Sequence, residues 1–286
     1  MAPPHQQAVE AARDLPGHFA SWQVPRAYVQ LGAGFDPEGL FDRVLGRVAM
    51  ATAGLASARP SAAGCPLQMI LGQIGETTVL VGHGHRYSYE DASGHEVVLP
   101  IAAAALAGIR DVVVVETGMA LREDLASGSW LAITDTINAM GACPATGYLE
   151  LIGEPFLDMT DALSQELNAE IINAAAHVGV GLRLGVYQGT RGPQFDTPAE
   201  AAAARRNGAD VLGHGVVPEA ILAALLGCRT AAMVLVAGAA ASYGGRRLRQ
   251  AAVRDVAGFC SKGLVRALRG VFAPPEGIPG SAVGLA

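Results

Sequence analysis

The chain has 286 residues, of which 51% are hydrophobic and 16% charged, and its 20 basic against 26 acidic side chains give a formal net charge of −6. A chain of this length and apolarity buries roughly 70–75% of the surface it exposes when unfolded, which excludes extended disorder and fibrous repeats. A pI near 5.6, with the basic residues scattered along the chain, argues against nucleic acid or an anionic membrane as the main partner and leaves a small molecule as the expected one.

The first residues, Met1–Gln7 (MAPPHQQ), carry neither a basic nor an apolar leader region. The longest apolar stretch, Ala231–Ala241, is about half the roughly 20 residues that cross a bilayer. Cys65, Cys143, Cys228 and Cys260 lie far apart with no CxxC pair, so neither a disulfide framework nor a zinc knuckle is expected. These features predict a cytoplasmic protein with four reduced thiols.

In chain order, residues 1–24 are polar and weakly patterned, an N-terminal extension. Strands are predicted at Arg26–Leu31, which ends in Gly32-Ala33-Gly34, and at Gln68–Leu71, Thr77–Gly82, Val112–Val115, Trp130–Ile133, Arg183–Gln188 and Met233–Val236. Helical patterns lie between them at Pro37–Met50, Leu99–Leu106, Thr160–His177, Pro198–Arg206, Pro218–Leu226 and Leu248–Leu268. The alternation predicts an α/β fold, one domain over residues 25–272, with a mixed sheet covered by helices and some antiparallel pairing in the hairpin between Gly72 and Tyr89. Residues 273–286, with three prolines and three glycines, read as a loose tail.

Four segments carry chemistry. At Gly32-Ala33-Gly34 a strand ends in a turn whose backbone N–H groups can approach an anion, although a structural tight turn has the same composition. At Gly82–Glu90, His83, His85 and Tyr87 alternate, which puts all three on one face if the chain stays extended. The His-x-His pair lacks a third ligand at a recognisable spacing, so no metal is expected, and solvated loop histidines are the plainer alternative.

At Arg191–Glu200, helix capping accounts for Thr197, Pro198 and Glu200. It leaves Phe195 beside Asp196, a ring and a carboxylate suited to a flat heterocycle. At Gly208–Glu219 a short strand ends at His214, where open α/β folds concentrate catalytic groups; a histidine satisfied by backbone would look the same.

In this order the segments resemble the trimeric branch of the nucleoside phosphorylase superfamily, the purine nucleoside and methylthioadenosine phosphorylases. The resemblance covers about residues 26–245. It adds to the turn, the GxxHxY pattern at Gly82–Tyr87 and the Gly208–Glu219 stretch the segments Ile133–Asn138, Met159–Ala162, Gly185–Tyr187 and Gly192–Glu200. It implies a part-barrel sheet, a homotrimer, Phe156 lent to a neighbour's ribose site, and Phe195 and Tyr187 on the base and sugar sides. It also implies phosphate attack on an oxocarbenium-like anomeric carbon, the kind of centre that governs glycoside cleavage generally.

The departures from the family pattern fall on every subsite. Its phosphate-binding serine is Ala33 here, and the arginine of its GRxHxY motif is His83. Its Asn-Ala-Ala-Gly-Gly loop reads Glu116-Thr117-Gly118-Met119-Ala120, which puts a carboxylate near the expected phosphate. Its ribose-contacting methionine and the following serine are His214 and Gly215, its purine-selecting glutamate is Asp196, and its purine-edge asparagine is Gly238. The later sugar-contacting histidine has no counterpart after Tyr243.

Charge-assisted bonds to a dianion contribute about 1.5–3 kcal/mol each, so these losses predict weak phosphate binding. The leading expectation is therefore a divergent enzyme that acts on a nucleoside-like or other small metabolite without phosphate, by hydrolysis, elimination, isomerisation or cyclisation. His83, His85, Glu116, Asp196 and His214 are its acid–base candidates. Phosphorolysis of a purine-type nucleoside, with phosphate as co-substrate, and a non-catalytic ligand-binding trimer are the alternatives. No other cofactor is expected.

Overall fold

In the computed structural model, which describes residues 2–90, 95–151, 156–241 and 249–274, the first predicted strand is β1 (Ala27–Leu31), buried along its whole length. Ala27, Val29 and Leu31 enter one apolar layer and Tyr28 the other. That two-sided burial is why the run reads as continuously apolar. The other strands are β2 (Arg43–Ala49), β3 (Gln68–Ile74), β4 (Thr77–His83), β5 (Asp111–Ala120), β6 (Trp130–Asn138), β7 (Leu182–Gly189), β8 (Val211–Gly213) and β9 (Arg229–Ala239).

They form one nine-stranded sheet in the order β2-β3-β4-β1-β5-β8-β7-β6-β9, with β5 also paired to β9. Parallel β5–β9 and antiparallel β5–β8 pairing closes the five last strands of that order on themselves, so the sheet is open at β2 and barrel-like at β5–β9. β3 and β4 make the expected antiparallel hairpin. The mixed α/β fold with a part-barrel sheet is the predicted class.

Helices α1 (Pro4–Asp14), α2 (His95–Leu106) and α5 (Val217–Leu225) cover one face, and α3 (Gln165–His177) and α6 (Gln250–Phe272) the other. The short α4 (Pro198–Arg206) packs Ala201 and Ala204 against Leu212 and the Val253 end of α6. Its start follows the sequence: Thr197 accepts the Glu200 N–H while the Glu200 carboxylate accepts the Thr197 N–H. No helix among the described residues is long and apolar enough to cross a membrane.

The structure corrects two elements. Pro37–Met50 is not a helix; its second half is β2, the partly exposed edge strand paired antiparallel with β3. Leu40, Val44 and Val48 stand four apart, which mimics a helical stripe, but β3 supplies backbone partners that override local spacing. The first 24 residues include α1, whose Ala8, Ala11 and Ala12 are buried in the main core. Alanine buries little area and leaves a faint hydrophobic pattern, yet allows close approach to α2.

Helix boundaries shift elsewhere. The predicted Thr160–His177 begins at Gln165, with Ser164 accepting the Leu167 N–H as its cap, and the predicted Leu99–Leu106 begins at His95. Residues 275–286 of the predicted tail, and Leu248 at the predicted start of the last helix, lie outside the described residues.

Candidate active site

The C-terminal half of β5, the loop after β4, the entry to α4, the turn after β8 and the start of α6 meet at a partly open pocket. Glu116, Thr117, Gly118, Phe195, Asp196, His214 and Tyr87 all line it. The sequence brings these together from four separated segments.

One wall is built around Glu116. Its side chain is almost fully buried, and its Oε1 accepts from His85 Nε2 at 2.6 Å and from the Tyr87 hydroxyl at 3.0 Å, while Oε2 accepts from the Thr117 N–H at 3.0 Å. The Tyr87 hydroxyl also accepts the Ala33 N–H at 3.0 Å. The glycine turn therefore serves the carboxylate in two ways. Ala33 fixes the phenol, and a Cβ on Gly32 would lie 2.4 Å from Glu116 Oε1. Across the cradle a Cβ on Gly215 would lie 2.9 Å from Glu116 Cγ. The chain keeps glycine on both sides of a carboxylate it has taken inside. Gly34, with φ +90°, instead lets the backbone of α6 approach: a Cβ there would lie 2.8 Å from Arg254 Cα.

His83 does not join this wall. The chain leaves the extended conformation at Gly84, φ +79°, where a Cβ would strike Cys65 Cβ at 2.4 Å. The alternation that put His83, His85 and Tyr87 on one face therefore breaks. His83 Nε2 donates to the Phe35 carbonyl at 3.0 Å, and burial lowers its pKa despite that bond and the nearby Asp36. His85, after the turn, is fully buried and lies against Tyr87 with ring centroids 4.3 Å apart. Burial opposes charge on His85, but the bond and charge of Glu116 and the charge of Glu219 outweigh it and raise its pKa.

The other wall is more open. Phe195 and Asp196 are half-buried at the entry to α4, and burial, partly offset by the nearby His214, raises the Asp196 pKa. His214 Nδ1 lies 3.1 Å from the Thr190 carbonyl. A carbonyl only accepts, so Nδ1 carries a proton, and in the neutral ring Nε2 is then the acceptor. The backbone then makes a sharp turn: Val216 has φ 65° and ψ −56°, and the Val217 N–H donates to the Gly215 carbonyl at 2.8 Å. This strained γ-turn on a β-branched residue aims His214 at the pocket and starts α5 immediately behind it.

Other expected residues sit apart. Tyr187 is buried beneath the pocket, where its hydroxyl accepts the Gly215 N–H at 3.2 Å and fills the space a Cβ on Gly213 would need. Gly238 is in β9 beside Met119, and Phe156 is 85% exposed on the surface of the chain. Sequence reasoning missed Tyr89, which stacks on Tyr87 at 5.3 Å with an interplanar angle of 2° and meets His214 edge-on at 5.9 Å. Its spacing of two from Tyr87 was the available signal. Glu219, within one of the quoted segments, was also passed over. Among the described residues no cluster of three or more His, Cys, Asp or Glu side chains is arranged to hold a metal ion.

A profile of the phosphorylase superfamily matches residues 47–271. The chain is 34% identical to purine nucleoside phosphorylase of Mycobacterium leprae over 194 residues, 68% of this chain and 69% of the relative. It is 28% identical to purine nucleoside phosphorylase 1 of Bacillus subtilis over 210 residues, 73% and 78% of the two chains. A crystal structure of Schistosoma mansoni purine nucleoside phosphorylase in complex with inosine shares the fold, with TM-score 0.82 at 21% identity over 97% of this chain and 99% of that one. The profile spans well over half of the sequence and the part-barrel architecture agrees with it, so the chain belongs to the nucleoside phosphorylase superfamily.

Proposed function

We propose that this chain is an enzyme that cleaves the N-glycosidic bond of a purine-type nucleoside in the pocket between Glu116 and Asp196. The observation that carries the reading is the meeting of Phe195, Asp196 and His214 with Glu116 around one cavity in a chain of this superfamily. Phe195 stacks on the base, and Asp196, with its raised pKa, exchanges a proton with the departing ring. His214 Nε2 accepts from a sugar hydroxyl. The glycosyl centre gains positive charge as the bond breaks, and the Glu116 side of the pocket supplies the compensating negative charge.

The names of the relatives favour phosphate as the acceptor, giving a free base and ribose 1-phosphate, over the phosphate-free chemistry that the substitutions suggest. The second reading rests on one observation. The Glu116 carboxylate holds His85, Tyr87 and the Thr117 N–H for itself, and these are donors an incoming oxyanion would want. Acid–base chemistry without phosphate needs no such vacancy.

Incubating the full chain with a nucleoside panel, with and without orthophosphate, separates the two. Base release that requires phosphate supports phosphorolysis, phosphate-independent conversion supports the second reading, and no conversion with tight nucleoside binding leaves a ligand-binding protein. The reading includes a cytoplasmic homotrimer in which the exposed Phe156 completes a neighbour's site. A monomer by sedimentation, with full activity, would remove that part.

A further inference from the structure

Behind His85, on the side away from the pocket, lies a carboxylate that the proposed chemistry does not use. Glu219 is in the first turn of α5 and is 0% exposed. Its Oε1 is 3.3 Å from His85 Nδ1, short of hydrogen-bond geometry, and both of its carboxylate oxygens and His85 Nδ1 lack a hydrogen-bond partner among the described residues. A buried carboxylate and a buried ring nitrogen, both unsatisfied and face to face, are each other's partner. On the opposite edge of the same ring, Nε2 is already joined to Glu116.

We infer that Glu219 is a positioning residue: through His85 it forms a buried carboxylate–imidazole–carboxylate relay that ends at Glu116 on the pocket wall and delivers a proton there. The inference rests on the reading of that pocket as the catalytic site. Two protons are shared by three groups. At one extreme the Glu219 carboxyl bears a proton, His85 is neutral with hydrogen on Nε2, and Glu116 is ionised. Breaking the Glu219 O–H bond and forming Nδ1–H gives an imidazolium between two carboxylates. Breaking Nε2–H and forming O–H on Glu116 then leaves Glu219 ionised and the ring neutral with hydrogen on Nδ1. The net charge of minus one is the same throughout, and no oxidant or further reactant is needed.

The surroundings keep the relay's protons among its own members. Tyr28 from β1, Tyr87 from the loop after β4 and Tyr187 from β7 face the two carboxylates, and burial together with the carboxylate charges raises all three phenols, so they stay neutral. The Cys65 thiol beside the His85 backbone is likewise pushed up, to about 11. Burial raises Glu219 itself to about 7, against the opposing pull of His85. No arginine or lysine competes for Glu116 or Glu219 among the described residues.

The test uses the full chain with ¹⁵N-labelled histidine, His85 being identified by the signals lost in His85→Gln. Expected in the native protein is an imidazolium that persists above the ordinary histidine range. A His85 that titrates at or below that range overturns the proposal without any variant. In Glu219→Gln the midpoint should fall by at least one unit, and Glu219→Asp should recover part of the shift. An unchanged midpoint in Glu219→Gln overturns the relay.

With a substrate found on the nucleoside panel, Glu219→Gln should lower kcat about tenfold with KM within twofold and move the pH profile. A change in KM alone would make Glu219 merely structural. The ring titration needs no substrate, so failure of the relay and failure of the proposed function are read separately.

Discussion

The two walls of the pocket are built on opposite principles. Around Glu116 every polar atom facing the carboxylate is consumed by the protein: His85, Tyr87 and Thr117 donate to it, and Gly32 and Gly215 yield it space. Around Asp196 the groups are half-buried and borne on a turn that ends in a helix cap. Buried, mutually satisfied charge resists change and stabilises the fold only as a set, whereas half-open groups are free to meet a ligand. The first wall should therefore register substitution chiefly as lost stability and the second chiefly as lost turnover.

The sharpest break of that contrast is His85→Ala. It strips from a buried carboxylate the one cationic partner it has among the described residues, and removing one member of such a pair costs about 3–5 kcal/mol. Asp196→Ala, on the open wall, should cost less than about 1 kcal/mol. Urea unfolding of both variants checks this; equal losses would mean that the walls do not differ.

The closed wall also predicts a pH trend. The Glu219 carboxyl is raised to about 7 and the His85 imidazolium above its ordinary value, so the folded state holds protons that the unfolded chain releases. Stability from Glu219 is full below the ordinary carboxyl pKa of 4.5 and is lost as pH rises through about 7. The His85 contribution has the same sign: it is full below 6.5 and is lost through its raised value. The total loss from Glu219 is on the order of 3 kcal/mol. Thermal melts across this range should fall in the native chain and flatten in Glu219→Gln; a native chain that stabilises on going alkaline would contradict the buried carboxyl.

How far each wall was legible follows from the same difference. Phe195 and Asp196 were readable because capping explains Thr197, Pro198 and Glu200 and leaves those two over. His214 follows the end of β8, where open sheets place reactive groups, whereas Glu116 lies within β5 and stood out only as a carboxylate in place of the family's asparagine. Glu219 was not readable: in sequence it is an acidic residue in a helix first turn, and only the packing of α5 behind the His85 loop makes it a partner. The central strands were clear because burial on both faces leaves unbroken apolar runs, while β2 was hidden by an i, i+4 spacing at the sheet edge and α1 by a buried stripe made of alanine.

On the open wall, Asp196→Asn keeps the shape and removes the titrating proton. Turnover should fall about 100-fold with unfolding unchanged. Phe195→Ala removes a stacking surface and should weaken nucleoside binding about tenfold or more, seen as a higher KM. A turnover loss in Asp196→Asn that tracks lost stability would erase the distinction between the walls.

Glu116→Gln moves the closed wall toward the open kind. The amide preserves size between Gly32 and Gly215 but withdraws one negative charge from the place an oxyanion would approach, so orthophosphate should bind about tenfold tighter by calorimetry. Weaker binding would mean that phosphate uses the ionised carboxylate indirectly, through the His85 it keeps charged.

The smallest expected effect is at His83, which the alternating pattern placed beside His85. Gly84 turns the chain between them, and His83 spends its Nε2–H on the Phe35 carbonyl on the side facing Asp36. Glutamine can donate to the same carbonyl, so His83→Gln should leave turnover within about twofold and cost no more than about one hydrogen bond, roughly 1 kcal/mol. A loss of turnover approaching that of Asp196→Asn would return His83 to the site and extend the closed wall past the glycine turn.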